Sequence, residues 1–91
     1  MDEKKKIYFL RKRLLYKCTH RGTKELDIIL GDYAKKNLMN LSNKQLNELD
    51  IILKYNDRSL FLFITTNNTK PPELIYNKTL KSIILFNKNI K

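Results

Sequence analysis

Apolar residues recur at three- and four-residue intervals along almost the whole chain, and only two Gly and two Pro interrupt them. That spacing puts apolar side chains on one face of successive helices. So few turn-formers leave little means of making the repeated tight turns of a meander, sandwich or barrel. The expected fold is therefore all-α: a small five-helix bundle with brief connections, forming a single domain over residues 1–91.

The first helix is expected over residues 5–19, with Ile7, Leu10, Leu14, Leu15 and Cys18 on one face. Gly22 breaks it. The second starts at Gly22 or Thr23, either of which can serve as N-cap. With Gly22 as cap, Glu25 stands at N3 and can reach back to the cap N–H. With Thr23 as cap, Glu25 stands at N2, near the positive helix end. Leu26, Ile29, Leu30 and Tyr33 form the apolar face, and the helix fades near Lys36. The third start is the clearest: Ser42-Asn43-Lys44-Gln45 reads as a capping box, with Leu41 and Leu46 at the staple positions. Asn56 or Asp57 caps a fourth helix with Leu60, Phe61 and Ile64 inward, although Phe63, Thr65 and Thr66 also suit a strand. A last helix after Pro71-Pro72 carries Tyr76, Leu80, Ile83, Ile84 and Asn87 along one side.

A chain of 91 residues can bury one core but not a core plus a deep substrate cleft. One cysteine, Cys18, excludes an internal disulfide. The longest apolar run, Leu60-Phe61-Leu62-Phe63-Ile64, is far short of the roughly 20 residues of a spanning helix. No secretory signal is visible at the N-terminus. On that reading the Asn-x-Thr triplets at Asn67 and Asn77 carry no meaning. The N-terminus also lacks a clear transit peptide, which favours a bacterial cytoplasm over a mitochondrial matrix.

Convergent catalytic chemistry is missing. The one histidine, His20, and Cys18 lie two residues apart, about 200° around a helix, and cannot form a dyad. The pairs Glu25/Asp27 and Glu48/Asp50 have the same unhelpful spacing for acid–base work. There is no zinc ligand set and no Gly-rich phosphate loop. The chain reads as a non-enzyme without a metal or a stably bound cofactor of its own.

The net charge of +10 has two readings. One is a basic surface for nucleic acid, centred on Lys4-Lys5-Lys6 and Arg11-Lys12-Arg13. The other is base composition: Lys, Asn and Ile fill 35 of 91 positions, and their codons can be AT-rich. The second is favoured, and Glu25, Asp27 and Asp32 would make the second helix a poor recognition helix.

Arg21-Gly22-Thr23-Lys24-Glu25-Leu26-Asp27 is the segment that stands out. Arg21 ends one helix, Gly22 turns the corner and Glu25 opens the next, so Arg21 and Glu25 are expected on one exposed corner. Gly22 would let a backbone or flat ligand approach closely. The plain alternative is a structural helix–helix corner.

The run from Arg13 to Gly31, with its Arg-Gly-x-x-Glu and acidic residue two further on, resembles the signature region of the succinate dehydrogenase assembly factor family. Asn56-Asp57-Arg58-Ser59-Leu60-Phe61-Leu62-Phe63 resembles a second family block, acidic-x-x-Leu-Phe-x-aromatic, and Lys70-Pro71 matches a third feature. Phe63 departs from the Trp found in many members. The resemblance covers about residues 11–87, leaving a Lys-rich N-terminal extension, 1–6, and a C-terminal tail, 88–91. It implies a five-helix fold and a chaperone-like factor that binds the flavoprotein subunit of succinate dehydrogenase, or in some cases fumarate reductase. It implies that this factor promotes covalent attachment of FAD, which belongs to the partner. Carried over, the partner-binding residues are Arg21, Gly22, Glu25 and Asp27, on a chain that is monomeric when free and not inserted in a membrane. The rivals are a small basic helical nucleic-acid-binding module and a permanent structural subunit.

Overall fold

The computed structural model describes residues 2–66 and 69–89. Asp2 opens the first helix by accepting the Lys5 N–H on its carboxylate at 2.8 Å. Helix α1 then runs Glu3–Thr19. Lys4, Lys5 and Lys6 thus lie in its first turns. Thr23 caps α2 (Lys24–Asn37), which decides between the two candidate caps. A 3₁₀ turn, Leu38–Asn40, leads to α3 (Asn43–Ile52). The α3 start is the expected capping box: the Gln45 N–H donates to Ser42 Oγ and the Ser42 N–H donates to Gln45 Oε1. Leu41 and Leu46 beside it are both buried.

Asn56 caps α4 (Asp57–Thr65), which is helical throughout, so the strand alternative for Phe63 and Thr65 does not hold. The segment after Pro71 departs from the expected single helix. It splits into a one-turn helix, α5 (Pro72–Ile75), and α6 (Lys78–Asn89). The break has a local cause. Asn77 is buried, its Oδ1 accepts the Leu80 N–H to start α6 afresh, and its Nδ2 donates to the Glu48 carbonyl of α3. Tyr76, expected on the inward side, falls in the break and is 82% exposed. The Asn77 triplet is a buried helix cap; Asn67 lies outside the described residues, as do positions 90 and 91 of the expected tail.

The fold class is all-α, and the described residues form five helices of seven or more residues plus the α5 turn. Leu14, Leu26, Leu30, Leu46, Leu60 and Ile83 lie fully buried at the centre of one continuous apolar cluster. No described helix is long and apolar enough to cross a membrane. Residues 8–15 of α1 lie beside residues 34–39 at the end of α2, so these two helices run antiparallel and their connecting corner, residues 20–23, sits at one end of the molecule.

Candidate functional site

The corner is built by charge meeting orphaned backbone groups. Helix α3 ends at Ile52, and the carbonyls of its C-cap Leu53 and of Tyr55 beyond it lie outside the helical ladder. Arg21 reaches across and supplies their donors: NH1 donates to the Leu53 carbonyl at 3.1 Å and NH2 to the Tyr55 carbonyl at 2.8 Å. Its Nε donates to Asp57 Oδ1 at 2.8 Å. Asp57 is the first residue of α4, so its carboxylate lies at that helix's positive end, while the guanidinium lies at the negative end of α3. Both charges therefore sit where the helix dipoles favour them. The side chains are only 12% and 24% exposed, which limits screening by water.

Backbone bonds complete the corner. The Gly22 N–H donates to Asp57 Oδ2 at 2.6 Å, and the Arg21 N–H donates to Asp27 Oδ1 at 2.6 Å. Gly22 does not adopt a positive φ. Its requirement is space: a Cβ here would stand 2.7 Å from Asp57 Oδ2. The room expected for an approaching partner is thus taken by a carboxylate of the same chain.

This changes the expected picture of the motif. Arg21 is not exposed beside Glu25; its three nitrogens are bonded within the chain. Asp27 likewise gives an oxygen to the corner. Of the four motif residues, Glu25 is the one whose charged group is exposed and without a bonding partner among the described residues. Asp57 is the corner residue that sequence reasoning did not single out, although it opens the second family block. Its position in that block was the available signal.

Beside the corner lies a depression of about 510 Å³, lined by Thr23, Glu25, Asp57, Arg58, Phe61 and Leu62. Phe61 was expected inward, but it is 37% exposed, and Phe63 is the buried ring. Leu60, Phe63 and Ile64 share the core face of α4 at three- and four-residue spacing, so Phe61 is turned about 100° away from Leu60 toward the corner. Phe63 packs edge-on against Tyr55 at 5.8 Å. The Tyr55 hydroxyl donates to Glu73, and that hydrogen bond, followed by burial and then the Glu73 charge, raises the Tyr55 pKa. The depression thus has an apolar floor flanked by one exposed carboxylate and one exposed guanidinium.

The remaining candidates for chemistry are structural. Burial pushes the Cys18 thiol up to about 12, with Arg21 pulling the other way. His20 stacks on Tyr16 with centroids 4.0 Å apart. No group of His, Cys, Asp and Glu that could hold a metal occurs among the described residues. Of the cations behind the nucleic-acid alternative, Arg11 donates to the Leu41 carbonyl, while Lys12 lies over the Tyr8 ring and stays exposed.

Residues 12–87 match the family model described as flavinator of succinate dehydrogenase. Among curated proteins, the chain is 35% identical over 72 residues to succinate dehydrogenase assembly factor 2, mitochondrial, of Dictyostelium discoideum, covering 79% of this chain and 51% of that protein. It is 35% identical over 82 residues to the protein of the same name from Candida glabrata (87% and 54% covered). The Caenorhabditis elegans protein of that name is 32% identical over 84 residues (86% and 71% covered). The chain thus spans about half the length of the first two relatives. No solved structure gives a significant match. The mitochondrial names of these relatives overturn the expectation of a bacterial cytoplasm and point to the mitochondrion instead. That expectation rested on where the chain begins, which does not report its compartment.

Proposed function

The chain belongs to the family of succinate dehydrogenase flavinators, and on that basis we propose that it is an assembly factor that docks on the flavoprotein subunit of succinate dehydrogenase and promotes covalent attachment of FAD there. The observation that carries this reading is the joining of two family blocks, 36 positions apart, by the Arg21–Asp57 pair into one corner beside an exposed mixed surface.

In this reading the chain is not a catalyst, and FAD stays with the partner. The flavin–histidine bond forms inside the flavoprotein, and the docked factor holds that subunit with the reacting groups aligned. Alignment of this kind lowers barriers by up to roughly 7–11 kcal/mol in model systems. Phe61 supplies a partly exposed aromatic anchor of the type that dominates binding energy. Glu25 accepts from a partner cation, and Arg58 offers a planar fork to a partner carboxylate or carbonyl. Arg21, Gly22 and Asp27 position this surface by locking the α1–α2 corner onto the start of α4. Co-expression of the flavoprotein subunit with and without this chain, followed by in-gel flavin fluorescence, tests the proposal. Covalent flavin that does not depend on the chain would refute it.

A further inference from the structure

A second surface lies at the opposite end of the α1–α2 pair. Residues 8–15 of α1 and 34–39 of α2 and the 3₁₀ turn enclose a trough of about 330 Å³. Ala34 and Leu38 form its buried floor. Its lips are Tyr8, Leu15 and Met39, which are 52%, 37% and 74% exposed. Every charged residue lining it is a cation: Arg11, Lys12 and Lys35. Neither Lys12 nor Lys35 pairs with a carboxylate among the described residues. Arg11 leaves its buried Nε–H without an acceptor, although NH2 is satisfied by the Leu41 carbonyl.

An apolar trough between two helices is the shape that receives the apolar face of a third helix, read at three- and four-residue spacing. The cationic rim selects the charge of that helix. A flexible thioether at the lip suits a surface that repacks around an inserted side chain. We infer that this trough docks an acidic amphipathic helical segment of a partner protein, with aliphatic side chains on Ala34 and Leu38 and carboxylates facing Lys12 and Lys35. The buried Ala34–Leu38 floor between two helices favours a segment that inserts side chains over a flat lipid surface. The site stands about 20 Å from the Arg21 corner by the helix rise between Tyr8 and Arg21, and it does not depend on the flavoprotein reading.

The test uses the full chain, labelled with ¹⁵N, and two short synthetic helical peptides. Both carry Leu along one face; one carries Glu on its flanks and the other Lys. The Glu peptide is expected to shift the amide signals of Tyr8, Leu15, Lys35 and Met39, and to bind less well as salt rises. Charge reversal by Lys12→Glu with Lys35→Glu is expected to weaken it by about tenfold or more, as lost interface charge pairs do. Met39→Glu, at an exposed lip, should weaken it independently, while Glu25→Lys at the far corner should leave it unchanged. Circular dichroism verifies the fold of each variant. Equal binding of the Lys peptide, shifts confined to other surfaces, or no shift at millimolar peptide would overturn the inference. So would binding to phosphatidylglycerol vesicles that the Glu peptide fails to compete away.

Discussion

Arg21 and Asp57 stand 36 positions apart and meet at 2.8 Å, with the guanidinium at the end of α3 and the carboxylate at the start of α4. Removing Asp57 leaves a nearly buried cation without its counter-charge and the Gly22 N–H without its acceptor. Asp57→Ala is therefore expected to cost about 2–3 kcal/mol, below the cost of breaking a fully buried pair because both side chains retain some exposure. Arg21→Lys keeps the charge but cannot reach Asp57 and the Leu53 and Tyr55 carbonyls together, and it should cost about 1–2 kcal/mol. In a domain of this size each kcal/mol moves the thermal midpoint by roughly 4–8 °C. Midpoints by circular dichroism check this; a shift of a degree or less in Asp57→Ala would reject the anchoring role.

Gly22 is coupled to the same carboxylate. Gly22→Ala places a methyl carbon 2.7 Å from Asp57 Oδ2, so the oxygen must withdraw and the Gly22 N–H loses its bond. The expected cost is about 1–2 kcal/mol in the parent chain. In an Asp57→Ala background there is no carboxylate to displace, and the same substitution should cost far less. A double-mutant cycle from urea midpoints measures this coupling. Additive effects would show that the glycine is needed for something other than Asp57. The larger Gly22→Arg should abolish co-purification with the flavoprotein while helical content is retained.

Local features of the fold were legible, and features that depend on contacts between distant segments were not. The Ser42–Gln45 box was readable because both of its bonds span three residues. The three partners of the Arg21 side chain lie 32 to 36 residues away, and no periodicity reports them. Arg21 therefore looked like an exposed charge on a corner. Phe61 and Phe63 were confused because the run Leu60–Ile64 has no polar residue to mark its outer side. Asn77 went unused as a cap because the continuous apolar spacing on both sides suggested one helix. The motif was visible from sequence; the division of labour within it, with Arg21 and Asp27 turned inward and Glu25 outward, needed three dimensions.

Cys18 gives a pH prediction. Its folded pKa, raised to about 12 from an ordinary 9.0 by burial, means that the fold favours the protonated thiol. The unfolded chain loses this proton first as pH rises, so the contribution is intact below pH 9.0 and declines between 9.0 and about 12. Stability of the parent should therefore fall through this window more steeply than that of Cys18→Ala, whose overall stability is lower through lost packing. At pH 8 the thiol should resist iodoacetamide in the folded state, and its labelling in urea should track unfolding. Rapid labelling of the native chain would contradict both expectations.

Asn77 joins α6 to α3 through opposite ends of one amide. Asn77→Ala removes the α6 cap and the donor to the Glu48 carbonyl, for an expected loss of about 2 kcal/mol. Asn77→Asp retains a capping oxygen but turns an acceptor toward that carbonyl, so it should recover only part of the loss. Urea midpoints order the three chains; equal stability of Asn77→Ala and the parent would remove this clasp from the account.

Glu25 separates docking from folding. Its carboxylate is exposed in the first turn of α2 and has no bonding partner among the described residues, so its own stabilising effect is the helix-end term. Glu25→Gln should change stability by less than about 1 kcal/mol, and Glu25→Lys by about 1 kcal/mol. Neither change disturbs the Arg21–Asp57 tie. If Glu25 meets a partner cation, Glu25→Lys should weaken binding to the flavoprotein subunit by about tenfold or more. Covalent flavin in the co-expression assay should then fall in step with binding. Arg58→Glu, on the other side of the same depression, should act similarly, because the Arg58 side chain is exposed and outside the corner's hydrogen bonds. Asp57→Ala differs from both by losing stability and docking together. Parent-like affinity in Glu25→Lys, measured by titration calorimetry, would remove Glu25 from the interface and leave Arg58 and Phe61 as its remaining contacts.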